Sequence, residues 1–461
     1  MTVAAPADSP ATTEYLAAMA GYLDASPTPF HAVAEAAALL TAAGYTELFE
    51  TDEWPTRPGR YLVRRSGSLV AWDSGAGSDC GDGGDNAPAA TGFRIVGAHT
   101  DSPNLRIKPR PDYARAGWQM LGVEPYGGPL LNSWLDRDLG LAGQVTVRDP
   151  ELPGGWRTEL VLASEPLLRV SQLAVHLHRE VNDEGLRLNP QLHLAPHWGV
   201  GDTPADFRGW LAEQVDIAPD DILGWDMMTF DLTPARRLGR ERELLASGRL
   251  DNLATCFAAV SALLGVAGPD GESVAPQADR GDFASTPVIV LFDHEEVGST
   301  SERGAQSTLL PAVLERIVAG RGGDRQDFLR AMSGTVIASG DMAHAIHPNY
   351  PERHEPQHPI AVNGGPVLKI NNKGRYATDA AGAAAFALAC ETAGVPMQQF
   401  VVRSDLPSGS TVGPMTAALT GATTVDFGAP MLSMHSAREV CGAFDQPGYA
   451  AALAAFLAPR D

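Results

Sequence analysis

The sequence predicts an α/β protein: a three-layer α/β/α domain around a mostly parallel sheet, interrupted by an inserted β-rich module. Short apolar runs rich in Val, Ile and Leu, such as "TPVIVLFDH" and "GTVIASGDM", read as buried strands. They alternate with helical stretches such as "DNLATCFAAVSALLGV" and "AAGAAAFALACETAG", the pattern of strands wrapped by helices. From about Leu105 to Arg240 the texture changes to short β-like pieces ("GQVTVRD", "RTELVLA") among turns and frequent prolines. The expected division is residues 1–104 with 241–461 for one discontinuous domain, and 105–240 for the insertion.

In chain order, residues 13–24 carry helical spacing of apolar positions, and "SPTPFHAVAEAAALLTAAGY" gives a turn, a helix from about Phe30 to Ala43 and a stop at Gly44. Residues 57–72 read as two strands, and the Gly/Asp-rich 73–90 as a mobile surface loop without calcium-loop spacing. "GFRIVGAHTDSP" is a strand ending at His99. After the module and the helix from Asp251, residues 267–285 form a loop. "QQFVVRSD", "PMTAALTGA", "TTVDFG" and a closing helix in "QPGYAAALAAFLAP" continue the alternation.

Composition narrows the function classes. Hydrophobic residues make up 44% and charged residues 20%, ordinary for a soluble globular chain. No run approaches the ~20 apolar residues of a membrane span. The N-terminus lacks the basic n-region of a signal peptide, and Cys80, Cys256, Cys390 and Cys441 show no pair or finger spacing, so a cytoplasmic location without disulfides is expected. A net charge of −22 argues against nucleic-acid and anionic-membrane partners. An anionic ligand would need a local cation.

The strands of the alternating core end in residues able to bind metals. These are His99 and Asp101 in "AHTDSP", Asp251 in "GRLDNLA", Glu295 and Glu296 in "DHEEVG", Asp341 and His344 in "SGDMAHAIHPN", and His435 in "SMHSAREV". Ligands of open α/β sheets bind outside the carboxyl ends of the strands, so these fragments are candidates for one shared site. Imidazoles with several acids suit divalent zinc, cobalt or manganese, with carboxylates bridging a pair of ions. Of the adjacent glutamates, one would ligate and its neighbour take the proton of an attacking water. Both serve one site only if the backbone has already left the strand, where successive side chains face opposite ways. The spacing of His99 and Asp101 suits an acid that fixes the imidazole ring. Taken singly, Asp251 reads equally as a helix N-cap and Asp341 as a turn residue.

Together the ordered fragments "SPTPFHAV", "GAHTDSPNLRIKP", "SWLDRDL", "QLAVHLHREVN", "NPQLHLAP", "GRLDNL", "DHEEVGSTS", "DMAHAIHPNYPERHE", "GPVLKINNKGRYATD", "SGSTVGP" and "MHSAREV" resemble the aspartyl aminopeptidases, dinuclear-metal enzymes that remove N-terminal Asp or Glu from peptides. The resemblance runs through nearly the whole chain. It implies that Asp251 bridges two divalent ions, zinc by default with cobalt and manganese as alternatives. His99 and Asp341 would complete one ion's ligands, Glu296 and His435 the other's. It makes Glu295 the general base, Asp101 the orienting acid for His99, and His344 and Tyr376 donors to substrate or oxyanion. Lys369, with Lys373 as the nearby alternative, would meet the substrate's side-chain carboxylate. His176, in the inserted module, would reach a neighbouring subunit's site. The module would be a dimerisation domain, and the assembly a tetrahedral dodecamer of dimers acting on short peptides with a free N-terminus. The rival readings are a related dinuclear-metal carboxypeptidase or deacylase, and an inactive assembly protein.

Overall fold

The computed structural model describes residues 9–74, 88–265 and 285–459. Most of the loops expected at 73–90 and 267–285 therefore lie outside the described residues, as does Cys80. A nine-stranded sheet forms the centre. It is built from β1 (Thr46–Glu47), β2 (Arg60–Arg65), β3 (Ser68–Asp73), β4 (Phe93–His99), β13 (Thr286–Phe292), β14 (Val336–Gly340), β16 (Val367–Ile370), β17 (Gln398–Val401) and β18 (Thr423–Gly428). Its order is β1-β2-β3-β13-β4-β14-β18-β16-β17. The central neighbours β13, β4, β14 and β18 are parallel, while β3 and β16 join antiparallel, so the sheet is mixed with a parallel heart.

Strand pleating sorts the core into two layers. Val288, Val290 and Phe292 of β13 face one apolar cluster, and Ile289 and Leu291 face the other. That two-residue alternation is the strand period, and burial on both faces explains why the run is apolar throughout. One face is covered by α1 (Pro10–Ala25), α2 (Pro29–Ala42), α6 (Leu250–Leu264), α9 (Ala380–Thr392) and α11 (Asp445–Leu457). The other is covered by α7 (Leu309–Gly320), α8 (Arg325–Ser333) and α10 (Val412–Thr420). The Ser9 and Thr28 side chains cap α1 and α2, each ahead of a proline in the first turn. Helices α7 and α8 were not anticipated from the sequence.

The inserted segment forms a six-stranded sheet from β5 (Asn104–Arg115), β6 (Trp118–Tyr126), β7 (Leu139–Arg148), β8 (Trp156–Leu168), β9 (His197–Val200) and β10 (Ile222–Asp231). Short helices α3 (Val181–Glu184), α4 (Pro190–His193) and α5 (Phe207–Gln214) accompany it, over a separate apolar core. A third sheet, also unanticipated, joins β11 (Arg236–Leu238), β12 (Leu244–Ser247), β20 (Glu439–Gly442), β19 (Pro430–Leu432) and β15 (Ala343–His344). No described helix is long and apolar enough to cross a membrane.

Candidate metal centre

Parallel neighbours β13, β4 and β14 end on the same side of the sheet, and their ends supply most of the site. His99 is the last residue of β4, and Asp341 follows directly on β14. After β13 the backbone leaves the strand: His294 takes a left-handed φ of 64° and residues 295–297 make a single 3-10 turn closed by Gly298 at φ 96°. Glu295 and Glu296 thereby escape strand alternation and line the same cavity. Asp251 stands at the start of α6 with φ and ψ outside the helical range, and its neighbour Asn252 donates a 2.7 Å hydrogen bond to the Gly340 carbonyl. This ties the start of α6 to the strand end that carries Asp341. Oδ1 of Asp251 is buried without a hydrogen-bond partner and Oδ2 faces His435, so the carboxylate does not serve as an N-cap of α6. His435 sits at φ 68° in the loop joining antiparallel β19 and β20.

The two imidazoles are oriented alike. Nδ1 of His99 lies 2.9 Å from the Asp101 carbonyl, and Nδ1 of His435 lies 2.9 Å from the Gly128 carbonyl. A carbonyl only accepts, so each Nδ1 carries its proton and each Nε2 is left to face the acids. Nε2 of His99 is 3.3 Å from Asp251 Oδ1 and 3.9 Å from Asp341 Oδ1. Nε2 of His435 is 3.5 Å from Asp251 Oδ2 and 3.3 Å from Glu296 Oε2. Asp251 therefore turns one oxygen to each half. Within each triad, His99–Asp251–Asp341 and Asp251–Glu296–His435, one donor atom per residue lies within 4.8 Å of the others.

Asp101 departs from expectation. Its backbone carbonyl accepts the hydrogen bond from His99 Nδ1–H, and the nearer carboxylate oxygen stays 3.5 Å from that nitrogen. The carboxylate instead accepts the backbone N–H groups of Glu295 (3.0 Å) and Glu296 (3.1 Å) and the Tyr126 hydroxyl (2.6 Å). The amides of the glutamate turn point inward, and a fully buried acid is what satisfies them.

The electrostatics describe a donor set in want of cations. Burial pushes the Glu295 carboxyl up to about 8, with His99 opposing and Asp341 adding to the rise. Burial pushes Asp341 up to about 6 against the pull of Lys369. Burial would lower His435, yet Asp251 and Glu296 push it up to about 10. Asp251 resists its own burial, because His435 and His99 hold it below the ordinary carboxylate range. Oδ1 of Asp251 and Oε1 of Glu296 are buried without hydrogen-bond partners. Buried carboxylates without donors and imidazole nitrogens with free lone pairs fit divalent cations of the zinc type.

A cavity of about 450 Å³ opens over this cluster, lined also by His344, Lys369 and Tyr376. Lys369 is buried, with Nζ 3.7 Å from Asp341 Oδ2 and 5.4 Å from the centre of the Tyr376 ring. Lys373 is exposed in the following turn and does not line the cavity. His176 is exposed in the inserted segment and does not line its own chain's cavity. Sequence reasoning missed three contributors. Tyr126 and the Gly127–Gly128 turn come from the inserted segment, and Glu439 follows His435 by four residues. The glycine pair was the available signal. A Cβ on Gly127 would lie 3.1 Å from Glu296 Cβ, and one on Gly128 3.3 Å from His435 Nδ1.

Comparison with known proteins agrees with this geometry. Residues 22–457 match the family model described as aminopeptidase I zinc metalloprotease (M18). The chain is 52% identical over 440 residues to a probable M18 family aminopeptidase 2 of Mycobacterium tuberculosis, covering 95% of this chain and 96% of that one. It is similar to the solved Ape4 in its complex with Nbr1 (TM-score 0.88, 35% identity, 97% of this chain and 86% of that one). It is also similar to the Saccharomyces cerevisiae mApe1 dodecamer (TM-score 0.78, 25% identity, 96% of each chain). The carboxypeptidase, deacylase and inactive-assembly readings give way: the chain belongs to the M18 family of aminopeptidase I zinc metalloproteases and is a metalloaminopeptidase.

Proposed function

We propose that the enzyme removes N-terminal residues, acidic ones by preference, from short peptides at a two-cation centre. The observation that carries the reading is Asp251, whose two oxygens face two separate His–acid sets. His99 and Asp341 would hold one ion, Glu296 and His435 the other, and Asp251 both. Bound there, the ions supply Lewis acidity to the scissile carbonyl and acidify the attacking water. Glu295, fixed through its amide by Asp101, takes the water's proton and hands it to the leaving amine. His344 and Tyr376 donate to the developing oxyanion. Lys369, a buried cation on the cavity wall, receives the substrate's side-chain carboxylate.

The inserted sheet serves as a dimerisation domain within a tetrahedral dodecamer. Support comes from the likeness to the yeast dodecamer and from Leu173, Val175 and Leu177, which stand exposed around His176. In the assembly His176 would reach a neighbour's cavity. The described cysteines are buried and free, in keeping with a reducing cytoplasm. Rates on Asp-, Glu-, Ala- and Leu-anilides test the specificity, and equal rates on all four would overturn it. Glu295→Gln should retain metal and lose roughly 10²–10⁴-fold in kcat; near-normal kcat would remove Glu295 from its role.

A further inference from the structure

Glu439 is the first residue of β20 and is 1% exposed. One carboxylate oxygen accepts the backbone N–H of His435 at 2.7 Å, and the other accepts the backbone N–H of Asp251 at 3.0 Å. These amides belong to the loop between β19 and β20 and to the first turn of α6, far apart in sequence. One side chain thus spans the backbones of two residues that face each other across 3.5 Å. Both residues lie outside regular geometry, His435 at a left-handed φ and Asp251 beyond the helical range; their carbonyls accept from the Leu130 N–H and the Ser102 hydroxyl, and their N–H groups are held by Glu439.

We infer that Glu439 is a positioning residue for the metal centre, acting through the His435 and Asp251 backbones to set the donor geometry of the Asp251–Glu296–His435 triad. The inference rests on the two-cation reading. Only an ionised or doubly accepting carboxylate meets both amides. An amide side chain has one acceptor, and its NH₂ would face the second N–H donor to donor. Glu439 braces two of the three donors on the His435 side but only Asp251 on the His99 side, where the imidazole is anchored by the Asp101 carbonyl.

The test is chelator challenge of purified holoenzyme, reading metal per subunit by mass spectrometry. Glu439→Gln is compared with the parent, with Glu439→Asp as the milder variant, and with Asp445→Asn as a structural control. Asp445 is an equally buried acid that also accepts two backbone amides, those of Asn363 and Gly365, outside the centre. Expected is the release of one of two ions from Glu439→Gln at roughly 10–100-fold lower chelator concentration. The second ion, which shares only Asp251 with this brace, should leave at a higher chelator concentration than the first, Glu439→Asp should fall between Glu439→Gln and the parent, and Asp445→Asn should lower Tm while keeping both ions. Parent-like retention in Glu439→Gln, or equal metal loss in Asp445→Asn, would overturn the inference. A parent holding fewer than two ions would instead sink the two-cation reading itself.

Discussion

The two halves of the centre are built by different means. On the His99 side the donors stand at or just beyond the ends of adjacent parallel strands, and His99 and Asp341 are both buried. Backbone pairing fixes those strand ends: His99 is in register with Phe292 of β13, and the Asp341 N–H donates to the Phe427 carbonyl of β18. On the His435 side the imidazole hangs in a loop with its side chain 30% exposed. It is held by a carbonyl of the inserted segment, and its backbone by Glu439. The first half inherits its precision from the sheet. The second borrows its precision from loops braced by neighbours, so distant changes should reach it first.

The largest effect should come from the residue both halves share. Asp251→Asn should strip both ions and abolish measurable turnover, whereas His435→Ala should leave the His99-side ion in place. Retention of two ions by Asp251→Asn would contradict a bridging role. A smaller effect is expected of Gly127→Ala, which forces a Cβ at left-handed φ against Glu296. Displacing Glu296 by a few tenths of an ångström should cost less than the roughly 10²-fold in kcat of a 1 Å misplacement and loosen the His435-side ion only. Loss of the His99-side ion first would reverse the comparison.

The last effect is read as stability and concerns the metal-stripped protein. Glu295, Asp341 and His435 all have folded pKa values above their ordinary ones, to about 8, 6 and 10. These three groups make the stripped folded state hold extra protons between pH 5 and 9, while His344 and His31, both lowered to about 4 by burial, oppose them below about pH 6.5. The stripped protein's stability should fall as pH rises through that window, because raised groups lose their stabilising protons on the way. Asp251, lowered, acts in the opposite sense but only in the acid range. Chemical denaturation of stripped and loaded enzyme across that window checks this. A flat profile for the stripped protein would contradict it.

How much was legible beforehand follows the same division. Strands β13 and β4 were readable because burial on both faces demands unbroken apolar runs, and their ends carried His99 and the glutamate pair. The third sheet was not, since strands of two to four residues are too short to display a period. Helix α7 carries a regular apolar face at Leu310, Val313, Leu314 and Ile317 and was open to recognition, though Pro311 in its first turn masks its start. The five ligand candidates were singled out in the sequence and the fold brings them together, yet spacing alone left each one ambiguous. Glu439 and Tyr126 were invisible because their work lies in contacts across the fold. In sequence, a buried acid that clamps two amides looks like any surface glutamate. Asp101 was singled out, but the use of its carbonyl in place of its carboxylate is a matter of backbone path.

The central claim is that Asp251 is shared between two cations held by His99 with Asp341 and by Glu296 with His435. X-ray diffraction from crystals of the purified enzyme, collected above and below the zinc absorption edge, tests it most directly. The account predicts two anomalous peaks per subunit, each touching a different oxygen of Asp251. A single peak, or peaks away from Asp251, would contradict it.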